Sequence, residues 1–413
     1  MEALEKLLSL IEKTFPIPGR FRSKLPSLVA ELSRLLTSAR SERDSGYLNR
    51  PNLLSAYLHY FLPWNVFRLE RLFSLTILPV FSDGDAITDL GSGPLTLPIA
   101  LWITFPELRT IKLEFRCVDK SAAILEAGYK LFRALCNKEC NWKIKTIHDS
   151  IEAPIWGKSA KLTTAINVFN EIPSLMKHSN LGQSAEKAAA LLCKLTADNG
   201  SILVAEPGNP QGGAFISTLR TALLKREKYP AAPCPHNELC PLPGSIHGTK
   251  AKWCHFAFDT DTAPLALHKL SAAAGIPKER ATLSFLLAGP VGGAELKRMH
   301  NKTKSPDLMR THDNAAPADL MRMRNNSSNS DLKRMRIRIV SDTFPVPFQK
   351  SGIGCYGCSE KGMVLVTGNR TQKNELASGT LLNLPLSANE KRDPKTGALI
   401  VPVSLPHTRM MKI

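Results

Sequence analysis

Segment 86–102, AITDLGSGPLTLPIALW, constrains the fold of this chain more than any other stretch. A short apolar run ends at Asp89, glycines follow at Gly91 and Gly93, and a second apolar segment begins after them. This order predicts a strand, a tight turn and a helix, because glycine permits left-handed backbone angles and close approach of a ligand. The free N–H groups at the helix start favour a polar or anionic ligand. Any tight strand-to-helix turn of an α/β domain fits the two glycines equally well, so other residues must decide.

Strand-like and helical segments alternate from residue 85 to about residue 225. The predicted strands are 86–90, 113–119, 143–147, 163–167 and 201–205, with helices such as 121–135 and 185–195 between them. Strands separated by helices predict βαβ units and a mainly parallel sheet. Ligands of such sheets bind beyond the carboxyl ends of the strands.

Polar residues follow the predicted strands at that edge. They are Asp119 after the second strand, Asp149 after the third, Asn170 and Glu171 after the fourth, and Glu206 after the fifth. An acid after the second strand can accept both hydroxyls of a ribose, and Asp149 could contact an adenine amino group. Each of these residues alone could be a helix cap or a surface acid. Their repetition favours a nucleoside-type pocket.

This pattern resembles a class I S-adenosylmethionine-dependent methyltransferase domain. The turn DLGSGP matches the first motif of that fold, and VDKS matches its ribose-binding acid. The resemblance implies that S-adenosylmethionine is the cofactor. The implied cofactor-binding residues are Asp89, Gly91, Gly93, Asp119, Asp149 and Glu206, and Asn170 and Glu171 lie where a methyl acceptor would sit. One departure is Leu95, which occupies the place of the third glycine of the motif.

A second constellation lies in segment 230–258, PAAPCPHNELCPLPGSIHGTKAKWCHFAF. Five residues separate Cys234 from Cys240, and thirteen separate Cys240 from Cys254. Thiolates in a short irregular segment suit a soft metal or an iron–sulfur cluster. The fourth ligand must come from elsewhere. CYGCSEKG offers Cys355 and Cys358, and His236, His247 and His255 are also available. The spacing does not indicate zinc-finger geometry, and three buried structural cysteines remain the alternative.

Composition and charge restrict the partners and the compartment. The chain has 54 Lys and Arg against 36 Asp and Glu, a net charge of +18, which favours a polyanion such as nucleic acid. A basic surface that serves only solubility is the alternative. No apolar run is long enough to span a bilayer, and the acidic N-terminus lacks a signal or transit pattern. We therefore expect a cytoplasmic monomer without a membrane partner, whose nine cysteines do not form a disulfide framework.

The remaining sequence suggests the domain order. We expect an α/β core at 81–229 that continues at 259–293, with the cysteine-rich module 230–258 inserted into it. Around these lie a helical region at 1–80, an insertion at 294–338, strands with the last cysteine at 339–384, and a loosely ordered tail at 385–413. The insertion holds four repeats that start every twelve residues, from Glu295 to Asp331. A basic arm on RNA and a repeat-expanded surface loop without function both fit it.

The methyltransferase-like core, the EPG loop after the fifth strand, CPHNELCP, the later WCHF and a late cysteine together resemble a narrower family. This is the small-ribosomal-subunit methyltransferase-like family, which includes a mitochondrial assembly factor and bacterial relatives, and the resemblance covers about residues 45–370. It implies a [4Fe–4S] cluster on Cys234, Cys240, Cys254 and Cys358, with Cys355 as the alternate fourth ligand.

The same resemblance implies contact with small-subunit ribosomal RNA in translation. A ribosomal RNA methyltransferase is the first reading of this chain. A non-catalytic RNA-binding assembly factor is the second, because the third glycine is absent and NEIP is not the motif of amino-group methylases. A redox-sensing translation regulator is a third, weaker reading.

Overall fold

A computed structural model describes residues 2–39, 42, 46–136, 140–152, 159–172, 181–244, 252–293, 334–346, 351–386 and 390–403. The chain forms two compact units. The first contains Met1–Tyr229 and Leu242–Pro290, and the second contains Pro230–Pro241 and Val291–Ile413. The twelve-residue repeats from Glu295 to Asp331 lie outside the described residues.

The first unit begins with helices, as predicted. They are α1 (Glu2–Thr14), α2 (Gly19–Arg22), α3 (Leu25–Leu36), α4 (Pro51–Ala56) and α5 (Leu62–Phe73). Leu4, Leu7 and Ile11 recur at helical spacing in α1 and are buried, so the apolar stripe forms the packed face. A five-residue π-helical segment, Tyr57–Phe61, joins α4 to α5 without a break. None of the described helices is long and apolar enough to cross a bilayer.

A mainly parallel sheet with helices between its strands follows. The strands are β1 (Ala86–Leu90), β2 (Glu114–Asp119), β3 (Lys143–His148), β4 (Ala160–Ile166), β5 (Thr196–Pro207), β6 (Tyr229–Ala232), β7 (Phe256–Asp259) and β8 (Arg280–Gly289). The helices are α6 (Thr96–Thr104), α7 (Ala122–Cys136), α8 (Leu181–Leu195), α9 (Pro210–Leu224) and α10 (Leu265–Ala273). β6 straddles the boundary between the units.

The strand order of this sheet is β3-β2-β1-β4-β5-β8. The first five strands are parallel, whereas β8 runs antiparallel to β5 and β7 antiparallel to β8. The order 3-2-1-4-5 reverses direction between β1 and β4, which places a ligand crevice at the carboxyl ends of those two strands. The predicted class I methyltransferase-like α/β fold with N-terminal helices is confirmed.

Burial explains why these segments form a central sheet. All five residues of β1 are buried, and so are six consecutive residues of β5, Ser201–Glu206, because helices cover both faces of the sheet. The strands differ from the predicted bounds mainly in length: β4 begins at Ala160 and β5 at Thr196, with an irregularity in their pairing near Ala160.

The second unit is an antiparallel-rich sheet with its own core. Its strands are β9 (Arg334–Ile339), β10 (Phe344–Pro345), β11 (Gly352–Ser359), β12 (Gly362–Asn369), β13 (Leu381–Pro385) and β14 (Leu399–Pro402), in the order β13-β9-β11-β12-β14, with β10 paired to β11. Met335, Ile337, Val364 and Val366 lie in the core of the unit. β9 begins within the segment assigned to the insertion, and β14 lies within the segment expected to be a loosely ordered tail.

Candidate functional site

The turn between β1 and α6 adopts the left-handed backbone that its glycines permit. Gly91 has φ +62° and Gly93 has φ +55°. Leu95 follows with φ +56° and ψ +41°, and its side chain is completely buried. A leucine held in the left-handed region costs ~1–2 kcal/mol. The turn therefore has a left-handed backbone at Leu95, a conformation that a leucine side chain disfavours.

Helix α7 and the loop after β4 pack closely against this turn. A methyl group added at Gly91 would lie 2.5 Å from Val168 Cγ2 in the loop after β4. One added at Gly128 of α7 would lie 2.3 Å from the carbonyl carbon of Pro94. Gly128 was missed from the sequence, although a glycine inside a strong helix pattern is itself a signal of close packing. The turn is thus wedged between α7 and the loop after β4.

Asp119 at the end of β2 holds the turn in place. Its Oδ2 accepts a hydrogen bond from the Gly93 N–H at 2.9 Å, and its Oδ1 accepts one from the Ser121 N–H at 2.9 Å. Burial raises the pKa of Asp119, while the two backbone donors act in the opposite direction. Each carboxylate oxygen retains a second lone pair, so it can still accept a hydrogen bond from a ribose hydroxyl, as proposed.

Asp89 and Asp149 occupy very different surroundings. Asp89 is only 2% exposed and accepts a hydrogen bond from Thr164 Oγ1 at 2.6 Å, and burial raises its pKa to about 6. Asp149 is exposed, and its N–H donates to the carbonyl of Asp119 at 3.1 Å. Asp89 therefore lies inside the sheet beneath the turn, whereas Asp149 lies beside Asp119 at the open edge. Their roles toward a cofactor stay predictions.

Glu206 near the end of β5 stabilises the loop after β4 by hydrogen bonds. It is fully buried, and its two carboxyl oxygens accept hydrogen bonds from the N–H groups of Phe169 at 2.9 Å and Asn170 at 3.1 Å. Burial raises the pKa of Glu206 to about 8. With its amide nitrogen turned toward the acceptors, the Asn170 side chain donates to Glu206 Oε2 at 3.0 Å and to the Asn167 carbonyl at 2.9 Å. Glu206 and Asn170 are thus engaged with each other.

Tyr57 on the π-helical segment is a site residue that the sequence did not single out. Its hydroxyl lies 3.8 Å from the position of a methyl group on Gly93. Burial raises the pKa of Tyr57, and the nearby negative charges of Glu171 and Asp119 raise it further. π-Helical turns occur often at functional sites.

The structure therefore brings one subset of the predicted residues together. Gly93, Asp119 and Glu171 lie at the carboxyl ends of β1, β2 and β4, and Tyr57, which was not predicted, lies beside Gly93. Glu206 lies beneath the loop after β4, Asn170 is part of that loop, and Asp149 lies at the exposed rim. This arrangement offers glycine backbone, hydrogen-bond acceptors and an aromatic hydroxyl around a single crevice.

The predicted cysteine ligands are divided between the units. Cys254 belongs to the first unit, and Cys234, Cys240 and Cys358 belong to the second. Within the second unit, His236 Nε2 lies 3.1 Å from Cys358 Sγ, so the Cys-Pro-His loop reaches β11. Cys355 is fully buried on the core face, and burial raises the pKa of its thiol to about 12, which disfavours it as a ligand.

The described residues contain no group of three or more His, Cys, Asp or Glu side chains arranged to hold a metal ion. Thiols are the donors that an iron–sulfur cluster requires, so the donor chemistry of the four predicted cysteines fits one. The ligand set Cys234, Cys240, Cys254 and Cys358 stays a prediction.

Comparison with solved structures returns methyltransferases of low sequence identity. A class I S-adenosylmethionine-dependent methyltransferase described as putative, from Listeria monocytogenes, is 11% identical over 70% of this chain and 87% of its own, with a TM-score of 0.37. A methyltransferase from Geobacter sulfurreducens with S-adenosyl-L-homocysteine is 11% identical over 63% and 98%, with a TM-score of 0.32. Aeropyrum pernix fibrillarin with S-adenosyl-L-methionine is 13% identical over 55% and 76%, with a TM-score of 0.30.

No curated protein matches this sequence significantly. A family model does match, over residues 79–299, and it is described as mitochondrial small ribosomal subunit Rsm22. The matched region begins before β1 and extends past β8, so it contains the glycine turn and the acids at the strand ends, but not Tyr57. This chain belongs to the Rsm22 family, a methyltransferase-like family named for the mitochondrial small ribosomal subunit.

Proposed function

We propose that this chain is an S-adenosylmethionine-dependent methyltransferase that acts on ribosomal RNA of the small ribosomal subunit. The observation that carries the proposal is the turn Gly91–Leu95 with its hydrogen bond from Gly93 to Asp119. This bond joins the glycine turn after β1 to the acid after β2, the pair of features that binds nucleosides in such sheets. The family name and the net charge of +18 support an RNA partner.

The residues fit a nucleoside cofactor in a simple division of roles. The glycine turn would hold the cofactor against the main chain, Asp119 would accept its ribose hydroxyls, and Asp149 would meet its adenine at the exposed rim. When bound, S-adenosylmethionine supplies an activated methyl group. The work left to the protein is to align the acceptor and exclude water, for which Tyr57 lies beside Gly93 and Glu171 lies near Tyr57.

Asn170 and Glu171 were the residues predicted to contact the methyl acceptor, and their surroundings differ. The Asn170 side chain is engaged with Glu206, so its role as an acceptor contact requires rotation of the amide. Glu171 is half-buried and close to Tyr57, so it is the better candidate for a base. A base is needed only when the acceptor must lose a proton.

A non-catalytic RNA-binding assembly factor is the second candidate function. Two observations favour it: Leu95 fills the third glycine position with a buried side chain, and the Asn170 side chain is hydrogen-bonded to Glu206. In this alternative, the crevice is retained as a nucleoside sensor or a relic.

We also propose that Cys234, Cys240, Cys254 and Cys358 hold a [4Fe–4S] cluster. Donor chemistry supports this set, and the 3.1 Å contact of His236 with Cys358 ties the loop that carries Cys234 to the strand that carries Cys358. Anaerobic purification should yield a brown protein with equal amounts of iron and sulfide. A colourless protein that contains zinc would contradict the proposal.

Calorimetry with S-adenosylmethionine tests the crevice. We expect binding by the wild-type chain and at least tenfold weaker binding by Asp119→Asn, because one amide oxygen replaces two carboxylate oxygens. Asp198→Asn is the matched control, since Asp198 is exposed near the amino end of β5, away from the carboxyl ends that form the site. The absence of binding at millimolar cofactor would contradict the proposal that this chain is a methyltransferase.

Mapping of methylated ribosomal RNA nucleotides in a deletion strain decides between the two functions. Loss of one modification, restored by the wild-type chain, indicates the enzyme. Unprocessed small subunits with normal modification indicate the assembly factor.

A further inference from the structure

β9 of the second unit carries arginine at every second position. Its two faces differ completely: Met335, Ile337 and Ile339 enter the core, while Arg334, Arg336 and Arg338 share the opposite face. Side chains in a strand alternate between faces, so this register directs three guanidinium groups to one side of the sheet.

The three arginines have different surroundings. Arg338 is buried and donates to the carbonyl oxygens of Pro233 at 2.8 Å and Gly379 at 2.6 Å, which ties the cysteine loop to the sheet. Arg334 is exposed and donates to the Asn383 carbonyl at 2.6 Å. Arg338 therefore has a structural role, and Arg334 and Arg336 are left at the accessible end of the strand.

Arg336 is the unusual residue of the three. It is half-buried, and burial lowers the pKa of its guanidinium. Within the described part of the chain, no hydrogen bond or ion pair to its side chain is present. A partly desolvated cation without a counter-charge is costly, and an anionic ligand would offset that cost.

The adjacent edge strand contains no acidic residue. β13 pairs with β9 so that Pro385, Asn383 and Leu381 lie opposite Arg334, Arg336 and Arg338. All three β13 residues are half-buried and uncharged. The accessible end of this face thus combines two guanidinium forks with an amide and apolar groups, which suits phosphate, ribose and base edges better than a carboxylate surface.

We propose that the face formed by Arg334, Arg336 and Asn383 binds the phosphate backbone of single-stranded RNA. The inference rests on the proposed function only in taking RNA as the partner. It adds a second contact surface, in a different unit from the glycine-turn site, which would hold the RNA whether or not methyl transfer occurs.

Fluorescence anisotropy with the full chain and a labelled oligouridine of roughly 16 nucleotides tests this surface. Each phosphate contact on a single strand contributes about 0.7 to the slope of log affinity against log salt concentration, so Arg334→Gln/Arg336→Gln should reduce the slope by about 1.4. At about 0.1 M salt, this corresponds to roughly 25-fold weaker binding. Arg336→Gln alone should reduce the slope by about 0.7, and Arg336→Lys should retain it.

Arg370→Gln is the matched control, because Arg370 is an exposed arginine of the same unit on the turn after β12. Its slope and affinity should equal those of the wild type. An unchanged slope in the double variant, with an unaltered circular dichroism spectrum, would overturn the inference but would not contradict the proposal that RNA is the partner. Absence of RNA binding by the wild-type chain would instead contradict the proposed function. Equal competition by polyglutamate would show a surface for acidic proteins and would also overturn the inference.

Discussion

At the scale of single residues, Leu95 decides how the glycine turn is built. Its φ of +56° demands the left-handed region, and its side chain is fully buried. A substitution to glycine relieves the backbone strain but removes the buried leucine, whereas a substitution to alanine removes the side chain and keeps the strain. The two substitutions therefore separate the backbone from the packing.

We expect Leu95→Gly to be more stable than Leu95→Ala by about 1 kcal/mol, although both are less stable than the wild type. Leu97, also buried but inside α6, is the matched control. At this position the alanine variant should be more stable than the glycine variant by about 1 kcal/mol. Urea unfolding of the four variants measures both differences. The same order at both positions would show that Leu95 is not strained.

Residue identity alone could not separate the acids at the strand ends. Asp119, Asp149 and Glu206 all follow strands, and the sequence assigned all three to a cofactor. The fold then gave Glu206 a buried position beneath the loop after β4, where it accepts two backbone hydrogen bonds. Depth below the sheet edge is set by the register and by the loop that covers it, and neither is encoded in the local pattern.

At the scale of elements, the alternation of strands and helices was predictable and the irregular segments were not. Apolar runs bounded by turns located β1, β2 and β3 within one residue at either end. The Pro-rich segment 230–258 was expected to be irregular, yet β6 and β7 overlap its two ends. Proline and glycine obscure a strand pattern, and the strands exist there because of tertiary pairing such as β7 with β8.

Packing of α7 on the glycine turn gives a prediction for a whole element. A methyl group at Gly128 would meet the Pro94 backbone at 2.3 Å, so Gly128→Ala must displace α7 and should destabilise the first unit by about 2–3 kcal/mol. Gly182 in α8 is the matched control, because no described atom lies within 4 Å of its added methyl group. Gly182→Ala should stabilise by about 0.5–1 kcal/mol. Opposite signs in urea unfolding are the expected result, and equal effects would contradict the packing argument.

At the scale of the whole molecule, each unit has its own core, and among the described residues of the first are two fully buried acids with strongly raised pKa values. These acids are Asp89, with a pKa of about 6, and Glu206, with a pKa of about 8. An acid whose pKa is higher in the folded state than in the unfolded state favours folding most at low pH. Its contribution is lost as the pH rises from the unfolded value toward the folded value.

For Glu206, this loss extends from about pH 4.5 to about pH 8, with a slope of about 1.4 kcal/mol per pH unit. We expect the free energy of unfolding of the first unit to fall across this range, and Glu206→Gln to flatten the fall because a glutamine does not titrate. All five tryptophans belong to the first unit, so urea unfolding followed by tryptophan fluorescence reports on it selectively. Glu186→Gln is the control, because ion pairs with Arg226 and Lys225 lower the pKa of this largely solvated carboxyl, which therefore stabilises the fold at high pH rather than low. Parallel pH profiles for the wild type and Glu206→Gln would show that Glu206 is ionised in the folded protein and that a charged carboxylate, rather than a neutral one, holds the loop after β4.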